Sequence, residues 1–222
     1  MMVPMVVTID GPAASGKSTL AQRLAQALGL PFLDTGLLYR AVGRRLLEAG
    51  GDPRDVAAAL AAAEALTANE VVTARLRGQE IGQAASMVAA YPTVRAALLP
   101  FQRHFAGMAG GAVLAGRDTG TVVCPEAGAK LFVTATAEER ARRRYEELRR
   151  RGAEPIYAAV LAELRERDRR DSERAVAPLR AAQDALVLDT TSFEPDAVLE
   201  MALRHIEAVA GRRADRSSLT NL

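Results

Sequence analysis

Short apolar runs alternate along the chain with longer segments of helical periodicity. The runs at residues 6–9, 112–115, 130–134 and 185–188, together with a weaker one at 31–33, predict β-strands. The segments between them carry apolar residues at helical spacing. Strands separated by helices predict an α/β fold with a parallel sheet, in which right-handed crossover helices cover both faces.

Local signals mark where two of the helices begin. Asp52-Pro53 combines a good N-cap residue with Pro at the first helical position, and it predicts an alanine-rich helix to Leu66. Thr136 and Glu139 form a capping-box pattern, which predicts a helix to about residue 151. Residues 69–81 depart from helical spacing and predict a short hairpin instead.

The composition is that of a globular protein. Hydrophobic residues make up 49% of the 222 and charged residues 25%, and no run approaches the roughly 18 apolar residues of a membrane span. Without a recognisable export signal, and with Cys124 as the single cysteine, we expect a cytoplasmic protein in which that thiol is a small buried hydrophobe. The net charge of +2 and the arginine clusters favour anionic partners, either nucleotides or nucleic acid.

A glycine-rich loop directly follows the first predicted strand. It matches the pattern G-x-x-x-x-G-K-[ST] and consists of Gly11, Pro12, Ala13, Ala14, Ser15, Gly16, Lys17, Ser18 and Thr19. A strand, this loop and a helix over 20–28 stand in the order in which backbone N–H groups and a helix N-terminus cradle phosphates. A chance glycine-rich turn is the alternative, but the correct flanks favour a nucleoside triphosphate site.

Two side chains of this loop carry the expected chemistry. The chain has 29 basic residues, of which only Lys17 and Lys130 are lysines, so lysine occurs where a compact ammonium would meet the outer phosphates. Ser18 is the expected hydroxyl on or near a Mg²⁺ ion that bridges those phosphates. Asp10 and Asp34 are candidate carboxylates near this metal that do not ligate it directly.

Four further segments carry polar residues in a distinctive order. They are DTGLLYR at 34–40, QAASMVAA at 83–90 followed by Arg95, GRDTGTVV at 116–123 and RDRRDSERAVAPL at 167–179. Each is weak alone, but in order and spacing they resemble the bacterial cytidylate kinases, which are nucleoside monophosphate kinases of the P-loop group. The resemblance extends from the first strand to about Thr190, which is nearly the whole chain.

The resemblance implies a fold and a division of the chain. The fold is the three-layer P-loop kinase fold with a parallel central sheet, a small acceptor-nucleotide insert and a helical lid. Residues 1–211 would form a single unit, with the core at 1–34, 107–138 and 180–211, the acceptor region at about 35–106 and the lid at about 139–179. Residues 212–222, which are polar and without periodicity, would be a disordered tail.

The resemblance also implies roles for individual side chains. Those expected to bind the substrate are Arg40, Arg117 and Arg174 at the acceptor phosphate, Ser86, Arg95 and Asp118 at the cytosine, Arg167 and Asp171 at the sugar, and Thr35 where relatives often carry Ser. Those expected to be catalytic are Lys17, Arg117, Arg143, Arg144 and Arg174.

The residues themselves leave some alternatives open. Arg117 and Asp118 follow the predicted strand 112–115, and ligands gather at strand ends in open α/β sheets, but the two could instead form an ion pair with the base of the lid. Thr35 and Ser86 could be ordinary helix-cap or helix-surface hydroxyls.

The segment 140–151 holds seven arginines. Two glutamates within it allow i,i+4 pairing, so a solvated helix face is one interpretation. The other is that some of Arg140, Arg143 and Arg144 close over the transferring phosphate, because a cluster of cations with few acidic neighbours is costly to assemble without an anion.

The expected reaction is transfer of the γ-phosphoryl group of ATP to CMP and dCMP, with Mg²⁺ as cofactor. The acceptor oxygens are already ionised at pH 7, so no general base is needed, and catalysis consists of positioning and charge neutralisation. We expect a monomer without nucleic-acid or membrane partners.

Other functions compete with this one. A kinase for UMP, AMP or shikimate is the nearest, although Asp118 with Ser86 and Arg95 favours a pyrimidine. A guanine-nucleotide switch would need an N-K-x-D motif, which the sequence lacks. A nucleic-acid-binding ATPase would usually offer aromatic stacking residues, but aromatic residues make up only 4% and there is no Trp.

Overall fold

The five predicted strands form a parallel sheet. The computed structural model describes residues 5–73, 76 and 78–219, and only the backbone of residues 68, 72, 73 and 212–219. The strands are β1 (Met5–Asp10), β2 (Phe32–Asp34), β3 (Gly111–Gly116), β4 (Ala129–Thr134) and β5 (Leu186–Asp189). They lie in the order β2-β3-β1-β4-β5, and all neighbouring strands are parallel. The predicted α/β class with a parallel sheet is therefore confirmed.

Helices connect the strands and follow the last of them. They are α1 (Lys17–Leu28), α2 (Thr35–Glu48), α3 (Val56–Glu64), α4 (Ala68–Thr73), α5 (Gln79–Val88), α6 (Pro92–Ala106), α7 (Ala137–Arg150), α8 (Tyr157–Glu173) and α9 (Pro195–Leu219). A short π-helix over Thr119–Val123 follows β3. In the part of the chain that the structure describes, none of these helices is long and apolar enough to cross a membrane.

Helices pack on both faces of the sheet, because alternate residues of a strand point to opposite sides. On one face, Val7 of β1 packs in a buried cluster with Leu24 of α1 and Ile206 of α9. On the other face, Leu114 of β3 packs with Ala106 of α6. The result is three layers, with the sheet in the middle.

Two helical regions outside the sheet have buried clusters of their own. Helices α2, α3, α5 and α6 pack around Leu38, Val42 and Val88. Helices α7 and α8 form a smaller cluster around Ala141 and Leu164. These clusters fall within the ranges expected for the acceptor region and the lid, while the exact division of the chain stays a prediction.

The local signals for helix starts have mixed outcomes. The capping box is confirmed, because Thr136 caps α7 and accepts from the amide of Glu139 at 3.3 Å. Pro53 instead lies in a turn, and α3 begins at Val56. Its N-cap is Asp55, which accepts from the amides of two following alanines and so stabilises a later start than Asp52 would.

The hairpin predicted for residues 69–81 is wrong in the described residues, where α4 and α5 stand instead. Residues 74, 75 and 77 of that stretch lie outside the described residues. The physical reason is a capping box that the sequence analysis missed. Glu70 accepts from the amide and the hydroxyl of Thr67 at 2.9 and 2.8 Å, and this starts a helix at a point where β-branched residues favour a strand.

The last helix extends into the segment that was expected to be a disordered tail. The backbone is helical through Leu219, so most of the expected tail continues α9, and residues 220–222 lie outside the described residues. The segment after Gly211 contains Arg and Ala and no further Gly or Pro, and such a sequence can extend a helix without apolar periodicity.

Candidate active site

The sheet topology creates a crevice between the ends of β1 and β3. From β1 the chain passes over β3 to reach β2, whereas from β3 it passes over β1 to reach β4. Ligands of open α/β sheets bind where connections diverge in this way. The glycine-rich loop follows β1, and Arg117 and Asp118 follow β3, so this crevice brings both motifs to one end of the sheet.

The glycine-rich loop is packed closely against the sheet. A Cβ atom at Gly11 would lie 2.0 Å from the carbonyl oxygen of Val133 in β4, so only glycine fits there. Ala14 has a φ of 60°, a left-handed conformation that residues other than glycine rarely adopt. A strained loop that leads into the N-terminus of α1 is typical of a preformed anion site.

Lys17, at the start of α1, is folded back over this loop. Its Nζ atom donates to the carbonyl oxygen of Pro12 at 3.0 Å, and the residue is buried. Burial lowers the pKa of the Lys17 ammonium well below its ordinary value, and the positive charge of Arg117 lowers it further. A polyanion bound here would favour the charged ammonium again.

The hydroxyl of Ser18 is oriented by Asp34, one of the two carboxylates expected near the metal. Ser18 Oγ donates to Asp34 Oδ2 at 2.9 Å, and the other carboxylate oxygen caps α2 by accepting from Gly36. No cluster of three or more His, Cys, Asp or Glu side chains suited to a metal occurs among the described residues.

Asp10, the other candidate, is engaged elsewhere. Its buried carboxylate accepts from the amides of Thr119 and Gly120 and from the hydroxyl of Thr119, each at 2.8 Å. Burial raises the pKa of the Asp10 carboxyl, although these hydrogen bonds oppose the rise. The structure thus connects Asp10 to the segment after β3 rather than to Ser18.

Asp118 lies between two arginines, one in α6 and one just after α8. One of its oxygens accepts from Arg95 of α6, and the other accepts from Arg174, just after α8, at 3.4 Å. All three side chains are at most 9% exposed. The guanidinium of Arg95 also lies 5.6 Å over the ring of Tyr39. Because each carboxylate oxygen has a second lone pair, Asp118 can accept one more donor from a ligand.

Arg117 pairs with the base of the lid. Its Nε atom lies 2.7 Å from Oδ2 of Asp171. Burial disfavours ionisation of Asp171, but Arg117 and Arg167 outweigh this effect and hold the pKa of that carboxyl below its ordinary value. The ion-pair alternative is therefore observed, with both Arg117 and Asp118 paired to residues at the end of α8.

Arg167 adds a further enclosed cation to this group, near Asp171. Its enclosed Nε atom has no hydrogen-bond partner among the described residues. Burial, together with the charge of Arg117, lowers the pKa of Arg167 to about 10. Burial likewise lowers the pKa values of Arg40, beside Arg144, and of Arg174, beside Arg95. Several buried cations near one another indicate a site for an anion.

The two hydroxyls left open by the sequence differ. Ser86 of α5 is buried, and its Oγ atom has no hydrogen-bond partner among the described residues. A surface hydroxyl is thereby excluded, and an unpaired buried hydroxyl indicates a missing partner. Thr35 Oγ1 instead donates to the carbonyl oxygen of Ala115 at 3.0 Å and so connects the start of α2 to the end of β3.

Arg40 lies at the edge of the acceptor helices. Its Nη1 atom donates to the carbonyl oxygens of Leu76 and Gly78 at 3.0 and 3.5 Å. These backbone acceptors carry no full charge, so the guanidinium remains available to an anion. The structure therefore brings Arg40 near Arg117 and Arg144, two of the other predicted side chains.

The lid arginines divide into solvated and inward-facing ones. Arg142 is 54% exposed and pairs with glutamates of its own helix, which fits the solvated-face interpretation. Arg140 is buried and pairs with Asp168 of α8 at 2.7 Å. Arg144 pairs with Glu147 at 2.8 Å. The solvated-face interpretation thus fits Arg142, while closure of Arg140, Arg143 or Arg144 over a phosphate stays a prediction.

Arg143 is connected through Thr190 to the glycine-rich loop at residues 11–19, called the phosphate loop below. It donates to the hydroxyl and the carbonyl oxygen of Thr190 at 3.0 and 2.6 Å, and the hydroxyl of Thr190 donates to the carbonyl of Ser15 at 3.1 Å. The sequence analysis missed Thr190 and Asp168 as contacts of the lid. Asp168 stands beside Arg167 in the fourth motif, which is the one signal that points to it.

Comparison with known families bears directly on this site. A family model described as cytidylate kinase matches residues 7–208. The chain belongs to the cytidylate kinase family. The resemblance drawn from the four polar segments is confirmed, and the family match covers both the phosphate loop and the crevice.

Curated relatives align over most of their length. A protein named cytidylate kinase from Methylobacterium sp. (strain 4-46) is 62% identical over 181 residues, which cover 82% of this chain and 86% of the relative. Another of that name from Methylocella silvestris is 56% identical over 204 residues, covering 92% and 94%. A third, from Xanthobacter autotrophicus, is 56% identical over 212 residues, covering 96% and 100%.

Solved structures resemble the fold. A gluconokinase from Sinorhizobium meliloti 1021 superposes with a TM-score of 0.54 at 16% identity, covering 98% of this chain and 99% of that one. An uncharacterized protein from Eubacterium ventriosum has the same TM-score at 15% identity, covering 93% and 99%. At such identities the likeness concerns the fold alone, and it agrees with the predicted P-loop kinase architecture.

Proposed function

We propose that this member of the cytidylate kinase family transfers the γ-phosphoryl group of ATP to CMP and dCMP. The observation that carries the proposal is the crevice between β1 and β3. There the phosphate loop shares one end of the sheet with a buried cluster of arginines and aspartates from α6, the segment after β3 and the end of α8. The names of the curated relatives support the same activity.

The cluster around Asp118 suits cytosine. The amino group at position 4 of cytosine can donate to the free lone pair of Asp118, and Arg95 can donate to the ring nitrogen or the 2-carbonyl. The unpaired hydroxyl of Ser86 offers a further contact within the acceptor region. Uracil presents an acceptor where cytosine presents the amino donor, so it would face the carboxylate with oxygen against oxygen.

The remaining cations suit the rest of the nucleotide. Arg40, Arg117 and Arg174 would bind the acceptor phosphate, whose charge would compensate the burial that lowers the pKa values of Arg40 and Arg174. Arg167 and Asp171 would bind the sugar. Thr35, tied to the end of β3, would adjoin the acceptor through the lone pairs of its hydroxyl.

The donor would bind along the phosphate loop. The backbone N–H groups of residues 11 and 13–19 would hold the phosphates of ATP, together with the ammonium of Lys17, which would exchange its contact with Pro12 for the phosphates. Ser18, oriented by Asp34, fits a Mg²⁺ ion that keeps water and phosphate ligands. That ion supplies neutralisation of charge on the outer phosphates.

No general base is required, because the acceptor oxygens are already ionised at pH 7. The chain therefore aligns the two nucleotides and neutralises charge. Arg143 and Arg144 would contribute from α7, and an arginine in this role is worth about 10³–10⁵ in rate in other P-loop enzymes. Closure of α7 and α8 over both nucleotides would exclude water and limit hydrolysis of ATP.

The proposed site draws on one chain, and we expect a monomer. Every side chain assigned above comes from the same polypeptide. The single cysteine, Cys124, is half-buried and unpaired with another thiol, which supports a reducing compartment such as the cytoplasm.

A coupled assay of ADP release tests this function. ATP and Mg²⁺ are supplied with CMP, dCMP, UMP, AMP or GMP, and with no acceptor. We expect turnover to be fastest with CMP and dCMP and slow without an acceptor. ADP release at the same rate with and without CMP would contradict the proposal and favour a nucleotide switch.

A further inference from the structure

Asp10 occupies a special place between the two halves of the crevice. It is the last residue of β1, immediately before the phosphate loop, yet its side chain faces the other motif. Its carboxylate is 4% exposed and accepts three hydrogen bonds, all from Thr119 and Gly120. Burial of a carboxylate is costly, and the hydrogen bonds from Thr119 and Gly120 offset this cost.

Asp10 binds the π-helix at Thr119–Val123, which follows β3. The carbonyl oxygen of Asp118 accepts from the amides of Val122 and Val123 at 2.9 and 3.2 Å, so the backbone of Asp118 is part of the same turn. π-helical turns are rare and are often found at functional sites. Residues 117 and 118 therefore depend on the position of residues 119–123.

The contact between this segment and β1 is tight. A Cβ atom added at Gly120 would lie 2.8 Å from Oγ1 of Thr8, so the segment rests directly on the strand. The carboxylate of Asp10 holds the segment in this position through hydrogen bonds. The hydroxyl of Thr8 lies beside the segment and has no hydrogen-bond partner among the described residues.

We propose that Asp10 is a positioning residue for the acceptor nucleotide, because its carboxylate holds the backbone that places Arg117 and Asp118. The proposal rests on the function proposed above. Asp10 thereby connects the donor loop, which begins at Gly11, with the acceptor pocket. This role requires no direct contact between Asp10 and either nucleotide.

Asp10→Asn is the perturbation that tests this. The amide keeps one oxygen for Thr119 but turns an N–H group toward the amide of Gly120, where two donors then face each other. Thr119→Val removes one bond, Thr119→Ser keeps it, and Thr8→Val is the matched control, which alters a side chain against the same segment without removing a hydrogen bond of the described structure.

Two readouts separate positioning from general stability. In hydrogen–deuterium exchange of the free protein, Asp10→Asn should speed exchange in residues 117–123 and leave α1 unchanged. In the kinase assay it should raise the KM for CMP about tenfold, the effect of losing one buried hydrogen bond, and change the KM for ATP less than about twofold. Thr119→Val should shift both readouts the same way, while Thr119→Ser and Thr8→Val should resemble the wild type.

Several results would overturn the proposal. They are unchanged exchange in residues 117–123, a KM for ATP that rises as much as that for CMP, or a fall in kcat alone with both KM values unchanged. The second would assign Asp10 to the phosphate loop, and the third to stability. A wild-type chain inactive on CMP would refute the proposed function instead, and the exchange experiment would still decide whether Asp10 holds the segment.

Discussion

Replacing Asp118 with asparagine separates two tasks of this carboxylate. Asp118 accepts from Arg95 and from Arg174, so it positions both arginines, and its remaining lone pairs face the place proposed for the cytosine amino group. If Asp118 only positions the arginines, loss of its charge should lower kcat/KM for every acceptor nucleotide in the same proportion. If it also binds the base, kcat/KM should fall more for CMP than for UMP.

The magnitudes follow from burial. Asp118 is about 7% exposed on its side chain, so an unmatched polar contact there costs about 1–3 kcal/mol. We expect the wild type to prefer CMP to UMP in kcat/KM by at least about tenfold, which is roughly 1.4 kcal/mol. Both activities should fall in Asp118→Asn because a charged partner of two arginines is lost. The CMP preference should shrink further, since an amide can turn a donor toward the uracil carbonyl.

The assay is kcat/KM for CMP and for UMP in the wild type, Asp118→Asn and Asp171→Asn, with thermal melting as the control for folding. Asp171 pairs with Arg117 and has no proposed contact with the base, so its variant should lower both activities in the same proportion. An unchanged CMP-to-UMP ratio in a folded Asp118→Asn protein would refute base reading. Asp118 would then act only through its arginines.

Three further predictions concern single side chains. Lys17→Ala should abolish transfer while leaving the melting temperature close to that of the wild type, and near-normal turnover would contradict the phosphate-loop assignment. Ser86→Ala should lower kcat/KM for CMP about fivefold without lowering the melting temperature, because the Ser86 hydroxyl has no hydrogen-bond partner among the described residues. A lower melting temperature with unchanged activity would instead indicate a purely structural role for Ser86. Hydrogen bonds from Arg142, with help from Arg143, lower the pKa of Glu139 from 4.5 to about 2, so this carboxylate stabilises the lid above pH 4.5 and the stabilisation is lost as the pH falls toward 2. Melting curves should therefore show a smaller acid-induced loss for Glu139→Gln over that range, and equal losses would contradict the lid pairing.

The sheet was predictable because its central strands carry strong and simple signals. The central strands β1, β3 and β4 are short apolar runs largely buried in the middle layer, whereas β2 gives a weaker signal and the edge strand β5 is only partly buried. The acceptor helices were harder, because the start of α4 depends on a cap between Thr67 and Glu70 that competes with the strand preference of the valines that follow. Local propensity alone does not decide between such signals.

The sequence indicates which residues form the candidate site better than it indicates which of them contact one another. The phosphate loop and the arginines stand in motifs, so their approach to one crevice follows from the topology. The pairing of Asp118 with Arg95 and Arg174 joins residues far apart in the chain, and nothing in local sequence specifies it. The same holds for Asp10, whose partners lie 109 and 110 positions away.

A competition experiment tests the central claim most directly. Equal concentrations of CMP, UMP, AMP and GMP are offered together with limiting ATP and Mg²⁺, and the nucleoside diphosphates formed are separated and counted. The account predicts that CDP exceeds UDP by at least about tenfold, and that ADP forms in proportion to the phosphorylated acceptor. Equal amounts of the diphosphates, or ADP without any phosphorylated acceptor, would contradict it.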